Sequence, residues 1–341
     1  MELQYRVTRQ MIDIAVSKAM EDMESNVKRG VRNLVDLGLL FSKSENQKRF
    51  FTAARKVVSN PGNPYYPLVT RMISDVDHDT IKKVGLNLGY NSLVYGAKRL
   101  KKRQEDTGLA FPGLLIFDIS ESGPAILERC IQEGQELGIY SYIICPHERG
   151  DISAICEIAA RFDESLFILK GSSGLISEQT AGTIGNIHNI AVSVQVTGTG
   201  FDCAAVQDAF RILKRNRCLY GFHVTYNEET VSRVTAPEYI RSAIGLGNFF
   251  GAYTAEDGVS DAARDAVYAF ACKGRGENGQ PLVPLDWYRD IQDIGEQIFS
   301  GAGQTEAPLV KRVYCEYIKA KDMLTKSLLE ILRGLQPCTS M

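Results

Sequence analysis

The chain has 341 residues, of which 44% are hydrophobic and 23% are charged, and its formal net charge is −2 at pH 7. This composition is typical of a globular protein, and the near-neutral charge gives no reason to expect nucleic acid or an anionic membrane as a partner. No apolar run reaches the roughly 18 residues of a membrane span, and the first residues lack the apolar core of a signal peptide. We therefore expect a cytoplasmic protein.

The first predicted domain, residues 1–107, contains helices only. Apolar residues recur there at spacings of three and four, and an Asn-Pro-Gly-Asn-Pro turn at 60–64 interrupts the pattern. A basic run at 98–103 closes this domain. Cations suit the C-terminal end of a helix, so we interpret the run as a solvated helix end, with a phosphate-binding role as the alternative.

The pattern changes at Phe111, and from there strand-like and helix-like segments alternate up to residue 258. The strand-like runs are almost continuously apolar, as is typical of parallel strands covered by helices on both faces. They start near residues 114, 139, 166, 189, 218 and 247. A closed eight-stranded barrel takes about 250 residues, and only about 145 are available here. We predict an α/β protein with a partial (βα)6 TIM-like barrel over 111–258.

From Asp261 onward the pattern is helical again, which predicts a C-terminal helical extension over 261–336. Its last predicted helix is long and amphipathic, with one stripe formed by Leu324, Leu328, Leu329 and Leu332. We expect this stripe to pack against the barrel, and a homodimer formed through it is the alternative.

Polar side chains follow each predicted strand, and in parallel α/β sheets function is found at these carboxyl ends. The candidates for acid–base chemistry are Asp118, His147, Glu148 and His223. The candidates for binding a cofactor or ligand are Glu148, Lys170 and Ser193. Cys145 and His147 are of metal-ligand type, but a two-residue spacing at a strand end is not a diagnostic ligand pattern. We therefore expect no metal site.

The order of segments resembles the core of radical S-adenosylmethionine (radical SAM) enzymes, which fold as a six-stranded partial barrel. LLIFDIS is similar to the first strand, GQELGIYSYIICPHE to the second helix and strand, and SLFILKGSSGLIS to the third strand. NIAVSVQVTG and FDCAAVQDAFRILKRNRCLYGFHVTYN resemble the fourth strand and the helix and strand that follow. The resemblance covers about 140 residues and implies the partial-barrel fold.

The chemistry of that family depends on residues that this sequence lacks. The family holds a four-iron four-sulfur cluster with a CxxxCxxC loop after the first strand, where this chain has Ile-Ser-Glu-Ser-Gly. The eight cysteines are scattered, and the closest pair, Cys145 and Cys156, is 11 residues apart. At the family's Gly-Gly-Glu-Pro motif the two glycines are replaced by Pro146 and His147, and only Glu148 matches. We expect no iron–sulfur cluster and no binding of S-adenosylmethionine.

The leading hypothesis is a pseudoenzyme that serves as a binding, partner or regulatory protein. Its partner would be a peptide or a protein, with an active radical SAM enzyme as one candidate. The alternative is an enzyme whose strand ends have been re-purposed for acid–base or phosphate chemistry, which predicts His147 and Glu148 within hydrogen-bond reach of His223. A third interpretation is purely structural: the segment NLGYNSLVYGAKRL plugs the barrel mouth.

Overall fold

The computed structural model describes residues 2–42, 45–109, 111–119, 124–147, 152–198, 200–276, 279–299 and 315–334. The N-terminal region is helical, as predicted. The helical structure is interrupted at the predicted turn, where Asn60 Oδ1 accepts a hydrogen bond from the backbone N–H of Gly62 at 3.0 Å. Its helices are α1 (Glu2–Ser25), α2 (Val27–Phe41), α3 (Glu45–Ser59), α4 (Tyr65–Asp75), α5 (His78–Leu86), a π-helix (Asn87–Gly96) and α6 (Ala97–Thr107). Within the described ranges, no helix has the length and apolarity to cross a membrane.

Eight parallel strands form a single sheet that curls into a half-barrel. Six of them begin within three residues of the predicted positions, because their apolar runs fit a sheet covered on both faces. The strand order is β7-β6-β5-β4-β3-β2-β1-β8. The strands are β1 (Leu114–Asp118), β2 (Ser141–Cys145), β3 (Leu166–Gly171), β4 (Ile190–Val196), β5 (Leu219–Tyr226), β6 (Phe250–Ala255), β7 (Val283–Asp286) and β8 (Cys315–Lys319).

Helices that connect the strands cover the convex face of the sheet and form the main core with it. Phe117, Tyr142 and Phe167 stack side by side on three neighbouring strands, with ring centroids 5.9 and 5.5 Å apart. The fully buried Tyr142 hydroxyl donates to the Ile139 carbonyl at 2.6 Å, so this polar group is satisfied inside the core. The helices of this part of the chain are α7 (Pro124–Leu137), α8 (Ile152–Arg161), α9 (Glu178–Gly185), α10 (Ala204–Arg215), α11 (Val231–Val234), α12 (Pro237–Gly245), α13 (Asp261–Gly274), α14 (Trp287–Phe299), α15 (Ala320–Thr325) and α16 (Leu328–Gly334). Of these, α14 does not belong to the convex layer, because its first residue packs on the opposite face of the sheet.

The segment after Asp261 contains two strands, β7 and β8, that the sequence pattern did not predict. β7 includes Pro284, and a proline argues against a strand because it cannot donate to the ladder. β7 lies at one edge of the sheet, where a proline is tolerated, and pairs with β6. β8 lies at the other edge and pairs in parallel with β1. The barrel thus has two strands more than the six predicted.

The prediction of one long C-terminal helix with a single leucine stripe is wrong. It is divided into β8, α15 and α16, and Lys326 between the two helices is extended. Leu328 and Leu332 are buried, whereas Leu324 is 54% exposed. The expected packing against the barrel is confirmed, because the Arg129 guanidinium of α7 donates to the carbonyl of Met323 at 2.6 Å.

The π-helix joins the helical region to the amino-terminal end of the barrel. Ser92 Oγ lies 2.7 Å from Ser141 Oγ at the start of β2, and Asn87 Nδ2 donates to the carbonyl of Ser165 at 2.9 Å. A Cβ on Gly96 would lie 2.4 Å from the carbonyl oxygen of Gly138. This contact is therefore possible only between bare backbones.

The Gly96 contact predicts a difference between two glycine substitutions in adjacent helical segments. Gly96→Ala should lower the free energy of unfolding by about 1–3 kcal/mol, since the new methyl group overlaps the Gly138 carbonyl. Gly85→Ala in α5 is the matched control. A Cβ there meets no atom within 4 Å, so it should be neutral or stabilising by up to about 1 kcal/mol. Urea unfolding followed by circular dichroism measures both, and equal effects would contradict the proposed close approach.

Candidate functional site

Four polar side chains form one row across neighbouring strands at the carboxyl end of the sheet. Asp118 pairs with Cys145, and Lys170 pairs with Ser193. The Ile144–Leu169 pair between β2 and β3 places Cys145 beside Lys170. Residues side by side in parallel strands point to the same face, here the concave one. The structure therefore brings together three predicted site residues, Asp118, Lys170 and Ser193.

Apolar side chains fill the concave face below this row. Ile116, Ile143 and Ala252 form a cluster with Trp287, the first residue of α14, and Cys145 packs against it. α14 contacts β6 and β7 near one edge of the sheet and β8 at the other, so it lies over the concave side. Trp287 is the important residue that sequence reasoning missed. Its segment is predicted as a helix, but no local pattern indicates that this helix lies over the concave face. Its buried Nε1 has no hydrogen-bond partner within the described part of the chain.

His223 is the fifth member of the site and lies one step further along the concave face. It pairs with Gln195, two residues after Ser193, and its Nδ1 lies 3.1 Å from Ser193 Oγ. Both the imidazole and the hydroxyl are buried. Burial, with a further contribution from the positive charge of Lys170, lowers the pKa of His223 to about 3. The imidazole is therefore neutral at physiological pH.

Burial also controls the thiol at the end of β2. It raises the pKa of Cys145 to about 11, the charge of Lys170 opposes that shift, and Asp118 adds to it. The thiolate is the form that attacks electrophiles and binds metals, so Cys145 is protonated and weakly reactive at neutral pH. Lys170 is thus a cation between a neutral imidazole and a neutral thiol.

The structure gives less on the other two catalytic candidates. His147, two residues beyond the end of β2, is exposed, in contrast to the buried His223. Glu148 lies outside the described residues, so its predicted roles, and the acid–base arrangement that requires it, stay predictions.

Two exposed polar side chains lie at the ends of β4 and β5. Gln195 and Thr225 follow Ser193 and His223 on the same face, and both are exposed. The segment expected to plug the mouth lies at the opposite end, because Ser92 contacts Ser141 at the start of β2. The predicted plug is therefore at the amino-terminal end of the barrel.

Asp77, Asp79 and His188, away from this face, offer three groups whose ligand atoms lie within 4.8 Å of one another. Asp77 already accepts from the backbone N–H of Thr80 at 3.1 Å as the N-cap of α5, and its Oδ1 lies 3.2 Å from His188 Nδ1. These contacts explain the cluster as a helix cap, and the expectation of no metal stays a prediction.

This geometry defines the class of fold: the chain has the half-barrel fold of radical SAM enzymes, which confirms the resemblance seen in the sequence. The solved structure of SuiB from Streptococcus suis is similar, with a TM-score of 0.50, 10% identity, and coverage of 94% of this chain and 76% of SuiB. At this identity the likeness shows the fold alone.

Further SuiB structures match less closely. SuiB bound to S-adenosylmethionine has a TM-score of 0.46 at 10% identity, and the match covers 64% of this chain and 59% of that one. This chain thus spans about three fifths of that SuiB chain. SuiB bound to the precursor peptide SuiA has a TM-score of 0.46 at 8% identity and coverage of 88% and 70%. No protein-family model and no curated protein matches the sequence.

The buried imidazole predicts a pH-dependent stability. In the unfolded chain His223 titrates near its ordinary pKa of 6.5, whereas in the folded protein that pKa is lowered to about 3. Between these values the unfolded state binds a proton that the folded state does not, so the free energy of unfolding falls as the pH falls. The contribution approaches about 1.4 kcal/mol per pH unit.

Urea unfolding of the wild type and of His223→Asn, at a series of pH values from neutral to mildly acidic, isolates this contribution. Asparagine keeps a polar group near Ser193 but does not titrate. The wild type should lose stability more steeply than the variant on acidification. Parallel profiles for the two proteins would show that His223 is not a buried neutral imidazole.

Proposed function

We propose that this chain is a binding protein built on a radical-SAM-like half-barrel, and that it works without an iron–sulfur cluster or radical chemistry. Its ligand is a peptide or a segment of a partner protein, and an active radical SAM enzyme is one candidate for that partner. The observation that carries the proposal is the concave face itself. It presents one half-buried, protonated thiol and one cation above an apolar floor.

The arrangement of the six thiols that the structure describes does not suit a cluster at the strand ends. A four-iron cluster of this kind needs several thiolates around one centre. Cys130, Cys156 and Cys218 are buried in the core behind the sheet, and burial raises the pKa of Cys130 to about 11. Cys145 is the thiol that joins the concave cluster, among the six cysteines whose burial the structure describes. The positions of these thiols therefore support a function that does not require an iron–sulfur cluster.

The end of β2 does not fit the cofactor of that family either. Two glycines would allow the cofactor to approach the backbone closely. Pro146 has no N–H to donate, and its ring lies 3.8 Å from the position of a Cβ on Gly171 in β3. The proline therefore packs between the two strand ends.

The carboxyl end of the concave face suits an anionic group of an extended ligand. Lys170 supplies the charge, and exposed Gln195 and Thr225 continue the polar surface outward. A carboxylate of a peptide has this chemistry. SuiB, whose fold this chain resembles, has been crystallised with its precursor peptide SuiA.

The acid–base alternative is supported by one contact, the hydrogen-bond distance between Ser193 and His223. A general base works best when its pKa lies near the operating pH. The pKa of His223 is lowered to about 3, so the imidazole is a poor proton acceptor at neutral pH. This mismatch favours binding over catalysis at the site.

Anaerobic reconstitution with iron and sulfide tests the absence of cluster chemistry. We expect iron and sulfide contents well below one four-iron cluster per chain, and no cleavage of added S-adenosylmethionine. Cys145→Ser should give the same residual contents as the wild type, since Cys145 alone cannot hold a cluster. A stoichiometric cluster with cofactor cleavage would refute the proposal.

Ligand binding can be followed through Trp287, because it is the only tryptophan of the chain and lies in the concave face. The probe is a library of short peptides, and each peptide is made once with a free C-terminal carboxylate and once with an amidated C-terminus. Some members should change the fluorescence of Trp287 when the carboxylate is free. Lys170→Met should weaken binding of such a peptide about tenfold, as expected for loss of a charge-assisted hydrogen bond. Lys170→Arg should retain most of it.

Lys18→Met is the matched control, because Lys18 is an exposed lysine of α1 away from the sheet. It should leave the affinity unchanged. Equal weakening by Lys18→Met and Lys170→Met, or no fluorescence response to any peptide, would contradict a peptide site on the concave face.

A further inference from the structure

A second pocket lies at the amino-terminal end of the barrel, on the side away from the candidate site. It has a volume of about 500 Å³. Helices α1 and α6, the π-helix, and the residues just before β2 and β3 form its walls. We call it the basic pocket, and it is lined by Tyr5, Arg6, Tyr95, Arg99, Lys102, Arg103, Asp106, Tyr140 and Glu164.

The floor of the basic pocket is a rigid group of tyrosines. The rings of Tyr5 and Tyr95 stack with centroids 4.0 Å apart, and the ring of Tyr140 lies 5.8 Å from that of Tyr95. The Tyr5 hydroxyl donates to Asn91 Oδ1 at 3.0 Å. Tyr5 and Tyr140 are buried. The pocket shape is therefore set by core packing between α1, the π-helix and the barrel.

Arg99 fixes the wall that α6 contributes. Its guanidinium donates to the carbonyls of Gln135 and Glu136 at 3.1 and 2.6 Å, and to the Tyr140 hydroxyl at 3.1 Å. Those carbonyls belong to the last turn of α7, where a cation is favourable. Arg99 thus ties α6 to the barrel and holds the next helical turn over the pocket.

That next turn carries two exposed cations. Lys102 and Arg103 follow Arg99 at spacings of three and four, so all three lie on one face of α6. The side chains of Lys102 and Arg103 form no ion pair with any residue that the structure describes, and both are exposed. Of the two carboxylates in the lining, Glu164 lies 3.9 Å from Arg9, which offsets its charge.

We propose that the basic pocket binds a small phosphate-bearing molecule. Four cationic and two carboxylate side chains leave the lining with a net charge of +2. A phosphate monoester carries about −1.5 to −2 charges at pH 7, so the charges are complementary. The arginine fork matches phosphate geometry, and the volume is in the range of small-molecule sites. This inference does not depend on the function proposed for the concave face.

Isothermal titration of the full chain with pyrophosphate and with adenosine triphosphate tests the proposal. We expect one site per chain whose affinity falls as salt is added, since the contacts are exposed to screening. A higher affinity for the triphosphate than for pyrophosphate would show that the basic pocket recognises a nucleotide. Equal affinities would show that it recognises the phosphate groups alone. Either result supports a phosphate-binding site.

The basic run supplies its own control. Lys102→Ala with Arg103→Ala should weaken binding at least tenfold, whereas Lys98→Ala with Lys101→Ala should change it less than twofold. The two pairs remove the same charge from the same helix, but Lys98 and Lys101 do not line the pocket. All four side chains are exposed, so both double variants should fold, which circular dichroism verifies.

Equal weakening by both pairs would show a diffuse charged surface and would overturn the pocket. The same holds if neither phosphate compound binds at low salt. A single-stranded oligonucleotide that binds tightly and loses affinity equally in both double variants would instead identify α6 as a nucleic-acid surface, which also contradicts the proposal.

Discussion

The curled sheet must be covered on two faces, and this requirement determines where a site can lie. The convex face is covered by the connecting helices, as in other parallel sheets. The concave face of an open half-barrel has no facing strands to fill it. Here α14 lies over it, and Trp287 joins Ile116, Ile143 and Ala252 in a small second core. Above this core, Asp118, Cys145 and Lys170 are half-buried, whereas Ser193 is buried.

The electrostatics of the site follow from that partial cover. Lys170 lies next to a buried imidazole and a half-buried thiol, two groups that burial keeps neutral, and Asp118 supplies a negative charge nearby. Lys170 itself is half-buried. With neutral neighbours at Cys145 and His223, the charge of Lys170 suits binding of an anion better than proton transfer. The same residues would need a raised imidazole pKa to act as an acid–base pair.

The sequence predicted the elements whose pattern is set by the sheet alone. The six central strands are apolar throughout, so their positions could be read to within three residues. The two edge strands could not be predicted in this way. A proline such as Pro284 argues against a strand but is tolerated at an edge, and Cys315–Lys319 has the mixed composition of a helix. The same limit applies to the site. Asp118, Lys170, Ser193 and His223 follow from strand ends, but Trp287 reaches the concave face only through the path of α14, which no local pattern encodes.

The close approach of Gly96 to Gly138 has a consequence for how such a chain can evolve. The helical region packs closely against the barrel through two facing glycines. One is Gly96 in the π-helix, and the other is Gly138 in the α7–β2 turn, where its φ is +116°. A different helical region with a larger residue at position 96 would place a side chain against the Gly138 carbonyl. The packing of the two regions therefore restricts the residue at this position, although their sequences look like separate domains.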